Sequence, residues 1–150
     1  MQEAVQARTP AHVWIVGVLA TLWNAFGAFD YVMTQTNNEA YLSQFTAEER
    51  AFFDSFPAWM EAFWALGVWG ALIGSLLLLV RSRYAVHAFA LSLVGIVVGM
   101  GFQYLGMEAP ESLTTGAMAV MPWIILVVGI ALLVYARKQA ATGVLRKRET

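Results

Sequence analysis

Trp23-Asn24-Ala25-Phe26-Gly27-Ala28-Phe29-Asp30-Tyr31 is the stretch on which the reading of this chain turns. It lies inside a predicted helix over residues 10–34 whose first half is apolar enough to enter a bilayer. A carboxamide, a glycine and a carboxylate then follow in the same helix. At about 100° per residue, Ala20, Trp23, Asn24, Gly27, Asp30, Tyr31 and Thr34 fall within roughly 60° of Gly27. A small, polar stripe on an apolar rod must face protein or water rather than lipid. It is therefore expected to set how the other helices pack.

Composition places the whole chain in the same setting. Of 150 residues, 59% are hydrophobic and 13% charged, and the mean hydropathy is +0.62. Soluble domains carry about 25% charged residues, so the chain belongs with polytopic membrane proteins. A net charge of -1 leaves no basic face for nucleic acid. The absence of cysteine excludes disulfides, thiolate metal sites and a cysteine nucleophile. Residues 1–9 hold Glu3 and Arg8 instead of a clearly basic leader, and the apolar run continues to Met33. That run is too long for the core of a cleavable signal, so the segment is expected to be retained as a span.

Four membrane helices are predicted, at residues 10–34, 57–80, 84–105 and 113–137, with a basic tail at 138–150. Thr9 suits an N-cap and Pro10 a first helical position. The apolar length from His12 to Met33 gives about 33 Å, enough to cross a bilayer core. Between the first two spans, Thr46 and Glu49 form a capping-box pattern. Phe52, Phe53 and Phe56 share one face behind it, which predicts a short amphipathic helix over residues 47–55, either an interface anchor or a lid over the bundle mouth. Gly67, Gly70 and Gly74 on the second span, and Gly95 and Gly99 on the third, provide small-residue stripes for close helix approach, with Gly27 doing the same on the first. Arg81-Ser82-Arg83 is a tight basic turn, so spans two and three should be antiparallel neighbours. Pro122 predicts a kink in the fourth.

Arg8, Arg81, Arg83, Arg137, Lys138, Arg146, Lys147 and Arg148 fall on one side of this drawing, against Arg50 alone on the other. The positive-inside rule then puts both termini in the cytoplasm. Trp14, Tyr84 and Tyr135 would form one aromatic belt, and Tyr31, Trp59 and Tyr104 the other.

Ionisable groups in membrane segments are functional candidates by default. Asp30 and Glu61 either face water at the outer ends of their helices or line an outward-facing polar pocket with Asn24, Tyr31 and Gln103, able to bind a proton or polar solute. His12 and His87 are the only histidines. From two helices of a bundle they are conceivable haem ligands, although their shallow depth favours simple interface histidines. Trp23, Trp64, Trp69 and Trp123 should fill gaps beside the glycine stripes, or else stack on a sugar or quinone ring. No metal-ligand set, nucleophile elbow or phosphate loop is present, so no catalytic residues and no cofactor are expected.

The combination Trp23-Asn24-x-x-Gly27-x-x-Asp30-Tyr31-Val32-Met33-Thr34, Asn38-Glu39-Ala40-Tyr41, Phe56-Pro57-x-Trp59 and Trp64-Ala65-Leu66-Gly67-Val68-Trp69-Gly70 resembles a family of small four-helix inner-membrane proteins of proteobacteria. Some members of that family carry the label sugar transporter. The resemblance implies a bacterial inner-membrane setting and assigns no residue a role. The expected fold is all-α: one integral membrane domain over residues 1–150, a four-transmembrane-helix bundle with an amphipathic helix between helices one and two. Three functional readings follow. The first is a non-enzymatic protein acting by helix packing, as a homo-oligomer or an accessory subunit of a membrane complex. The second is a small-solute or proton-coupled transporter, and the third a haem- or quinone-linked redox protein.

Overall fold

A computed structural model of the protein describes residues 8–146, so Glu3, Lys147 and Arg148 lie outside the described residues. Seven helices follow in order: α1 (Ala11–Gln35), α2 (Glu39–Leu42), α3 (Ala47–Asp54), α4 (Ala58–Leu79), α5 (Tyr84–Gly106), α6 (Glu111–Thr114) and α7 (Gly116–Ala141). Four of them, α1, α4, α5 and α7, are long and apolar enough to cross a membrane, which makes this a multi-pass helical membrane protein. The predicted spans hold to within one or two residues at most ends. The fourth differs. Its first turn separates as α6, Thr115 is extended, and α7 begins at Gly116 with φ +61°. The interruption falls there, and α7 runs on through Pro122 without a break.

Three of the long helices end in the same way. After α1, the Asn37 and Asn38 amides bond back to the carbonyls of Thr34 and Met33. After α4, Arg81 and Ser82 do so to Leu78 and Leu77, and after α7, Gly143 and Val144 to Ala140 and Gln139. The turning residue has positive φ each time: Asn37 at 51°, Arg81 at 57° and Gly143 at 77°. Glycine and asparagine adopt that conformation readily, whereas an arginine does so at a cost of about 1–2 kcal/mol. Arg81 is held there from two directions. Its guanidinium donates to Thr9 Oγ1, and its carbonyl accepts the Arg146 amide at 2.7 Å. Thr9 therefore does not cap α1. Pro10 occupies the N-cap with no side-chain bond.

Helix α5 packs most extensively on α4, with α1 on the other side of α4 and α7 on α5. Gly67 approaches Gly95, Gly70 approaches Ser92, and Gly74 approaches Phe89, so the two central helices run antiparallel, as the basic turn requires. Inside lipid, apolar burial does not distinguish one helix from another, and close packing and interhelical hydrogen bonds decide the arrangement. Both are present. Ser92 Oγ donates to the Gly67 carbonyl at 2.6 Å, and Asn24 Nδ2 donates to Ser75 Oγ at 2.8 Å.

The Arg81 end is closed by Ala20, Leu78, Ala85, Phe89, Leu132, Ala136 and Leu145, which gather from all four long helices and the segment after α7. The basic tail is thus partly structural. Residues 138–141 extend α7, Gln139, Val144 and Leu145 are buried, and Arg146 is bridged through its backbone to the α4–α5 turn. Toward the opposite end α7 is largely exposed, with buried residues only at Leu132, Ala136 and Gln139.

Candidate functional site

The residues proposed from sequence to share a pocket have separate partners. Asn24, buried, lies between α1 and α4, donating to Ser75 Oγ and, at 3.3 Å, to the Ala71 carbonyl. Ser75 donates to the same carbonyl at 2.9 Å, which closes a three-membered polar contact within the apolar interior. Tyr31 stands edge-on to Trp64 with ring centres 5.0 Å apart, and near Trp69 at 6.2 Å. Asp30 faces the connecting segment, where its carboxylate accepts the hydroxyl of Tyr41. Glu61 and Gln103 are partly buried and make no side-chain hydrogen bond to another described residue. What the structure assembles here is an interhelical contact and a capped helix end.

The reason is a rotation of the contact face. The buried residues of α1 are Val13, Gly17, Ala20, Asn24 and Ala28, a stripe centred on Asn24 and turned about 60° from Gly27. Gly27 consequently meets nothing: a Cβ there would find no atom within 4 Å, and the same is true of Gly99. Neither acts as a close-packing glycine. Gly17, absent from the predicted set, does: a Cβ would lie 2.5 Å from Leu79 Cδ2. Gly70, Gly74 and Gly95 are tight, and Gly67 supplies the backbone that Gly95 approaches. Trp23, Trp69 and Trp123 stay exposed instead of filling gaps, although Trp69 still meets Tyr31 and Trp123 meets Tyr104, while Trp64 packs between Tyr31 and Phe56.

A cap covers the Asp30 end. Asn38 Oδ1 accepts the Tyr41 amide and starts α2, a turn that periodicity did not reveal. The Thr46–Glu49 capping box forms in both directions and starts α3. Phe52 and Phe56 then bury against Met60, with Phe53, Trp64, Phe102 and Leu113 around them, so α3 is seated on the bundle. Burial first, and then the hydrogen bond and charge of Asp30, push the Tyr41 phenol up to about 12, so it stays a donor at any ordinary pH. Arg50 joins α3 to α2 by donating to the Leu42 carbonyl at 2.8 Å. Its ion pair with exposed Glu39, at 3.4 Å, adds little.

Glu49 does more than cap its own helix, since Oε1 accepts the Ser112 hydroxyl at 2.7 Å and ties α3 to α6. That bond, followed by the Thr46 amide, lowers the Glu49 pKa from its usual value. A lowered carboxylate stabilises the fold above the unfolded pKa and loses that contribution as pH falls through the folded one. Acidification below the normal glutamate range of about 4.3 should therefore release α3 from α6. The protection factors of the α3 amides, that is, exchange corrected for the intrinsic pH dependence of the amide, should fall at acid pH in the wild type. In Glu49→Gln protection should already be lower at neutral pH and lose most of its acid dependence. Equal acid profiles for the two proteins would mean that Glu49 does not hold the cap.

The two histidines are likewise divided. His12 Nδ1 and Tyr135 Oη are hydrogen-bonded at 2.6 Å across the α1–α7 seam, while His87 stands beside Tyr84 on α5. Each has its own aromatic neighbour. Among the described residues no group of three histidine or carboxylate side chains converges. Two shallow surface cavities are present, one between α5 and α7 at the Arg81 end and one along α7. No family model, curated protein or solved structure matches this chain.

Proposed function

We propose that this protein acts by packing, as a non-enzymatic membrane scaffold that either self-associates or serves as an accessory subunit of a larger membrane complex. The observation that carries this reading is the state of the polar side chains in the α1–α4–α5 unit. Asn24, Ser75 and Ser92 are buried and bonded to neighbouring helices, which makes a rigid body with α7 as its outlying helix. Membrane helices joined this way resist the rearrangements that alternating access demands. A bacterial inner membrane is the proposed setting, with both termini and the Arg81 turn in the cytoplasm. The one-sided distribution of arginine and lysine supports that orientation.

Because the chain has no cysteine, single cysteines report neighbours without background. Val127→Cys and Val134→Cys, on the exposed face of α7, should cross-link in native membranes to a second copy or to a co-purifying subunit, and Leu22→Cys on α1 should not. A protein that purifies as an isolated monomer and catalyses solute uptake in proteoliposomes would overturn the proposal.

One observation favours transport as the second reading: a carboxylate at a helix end, held by a tyrosine from a cap rich in aromatic rings. Opening the Asp30–Tyr41 contact would expose both groups to a small polar solute, a sugar among them. In that case Asp30→Asn should abolish uptake at unchanged expression.

A further inference from the structure

The cavity between the start of α5 and the end of α7 has a volume of about 500 Å³ and is only half enclosed. Arg83, Tyr84 and His87 line it from α5, with Arg137 and Ala140 from α7. Among the described residues no carboxylate lines it. The side chains of Arg83, His87 and Arg137 are exposed and make no hydrogen bond or ion pair with another described residue. The two arginines sit at the boundary of the apolar spans, where an anionic lipid presents its phosphate. A second depression, about 510 Å³, lies on the adjoining face of α7, lined by Val127, Ile130, Ala131 and Val134, with Lys138 at its end. A cationic recess beside an apolar track matches the two halves of a phospholipid.

We infer that this recess binds the phosphate head group of an anionic phospholipid, with Arg83 and Arg137 as the phosphate ligands and the outer face of α7 as the track for an acyl chain. Guanidinium forks are suited to phosphate oxygens because they supply parallel N–H donors and always carry charge. Basic pockets between membrane helices near a leaflet surface select anionic head groups for the same reason. Tyr84 adds a hydroxyl at the level of the glycerol backbone, as interfacial tyrosines do. The head-group recess requires only that these helices span a bilayer, whereas the acyl track shares the outer face of α7 with the contact surface proposed above, so a bound acyl chain would lie in or beside that contact.

The test uses the full-length purified protein, stripped of lipid in detergent and titrated by native mass spectrometry with short-chain phosphatidylglycerol, the matching phosphatidylcholine, and inorganic phosphate. The wild type should prefer phosphatidylglycerol to phosphatidylcholine, and added salt should erode the preference. Each arginine near an anionic lipid is worth a factor of about five, so Arg83→Gln/Arg137→Gln should reduce the preference by about 25-fold. Both side chains are exposed, so the double variant should fold, and the salt titration of the wild type tests the proposal without any substitution. Equal binding of the two lipids, a preference untouched by salt, or a preference retained in the double variant would overturn it. Inorganic phosphate displacing the lipid at matched concentration would overturn the lipid as ligand and mark a free-anion site.

Discussion

Gly95→Ala should be the most damaging single methyl group that can be added to this protein. A Cβ at position 95 would lie 2.5 Å from both the Gly67 amide nitrogen and the Phe63 carbonyl oxygen, and 2.9 Å from Gly67 Cα. Those are backbone atoms, so no rotamer change can relieve the clash, and α4 and α5 must separate. Overpacking of a close-packed interface costs about 1–3 kcal/mol. The gain in helix propensity on replacing glycine, about 1 kcal/mol, offsets part of it. The separation would also lengthen the 2.6 Å bond from Ser92 to the Gly67 carbonyl, so the net cost belongs toward the upper end of that range. Gly99→Ala, one turn further along the same helix, is the control. Nothing lies within 4 Å of a Cβ there, and the propensity gain should leave that variant as stable as the wild type or up to about 1 kcal/mol more so. Unfolding of the two variants side by side in the same detergent measures the difference. If Gly95→Ala matched Gly99→Ala, the α4–α5 seam would not be close-packed in solution.

These two glycines also show what could be read from the sequence and what could not. Spans, capping box and basic turn were legible because each rests on local chemistry: hydropathy over about 20 residues, a threonine and glutamate three apart, arginines flanking a serine. The facing of a helix was not. In a water-soluble helix the apolar stripe points to the core, but in a bilayer the outward face is apolar as well, so the amphipathic signal vanishes. The stripe centred on Gly27 was therefore misplaced by about 60°, and the true centre, Asn24, is identified by its partner Ser75 on another helix. Gly95 and Gly99 belong to one four-residue repeat and both are buried, yet an added Cβ would meet a neighbour only at Gly95. The Asp30–Tyr41 contact escaped for a different reason: it depends on α2, a single turn too short to leave a periodic trace. Asn38, a good N-cap residue three before Tyr41, was the available signal. Docking of Val144 and Leu145 was hidden by the charges around them, which mark the segment only as a basic tail.

Phe89→Ala should produce the second large effect, and its size reports how this core is held together. Phe89 is 2% exposed and its ring fills the notch left by Gly74, where a Cβ would stand 2.7 Å from Cδ1 and 2.8 Å from Cε1. In water-soluble cores such a truncation costs about 3–5 kcal/mol, part from transfer and part from the cavity. Separated helices in a membrane keep the ring in lipid, so the transfer part largely cancels, and about half of that cost should remain as lost packing. Gly74→Ala alone should also destabilise, because the ring is enclosed by Ala85, Leu78 and Leu132 in the same cluster and has little room to retreat. Combined with Phe89→Leu, however, the added methyl occupies space that the smaller side chain has vacated. The double variant should therefore be less destabilised than its two single variants together, with a coupling of about 1 kcal/mol or more. Strict additivity in that cycle would show that ring and notch are independent. Coupling of the expected sign would locate the stability of the Arg81 end in shape complementarity between α4 and α5, which acts there beside the interhelical hydrogen bonds because the surrounding lipid is as apolar as the helices.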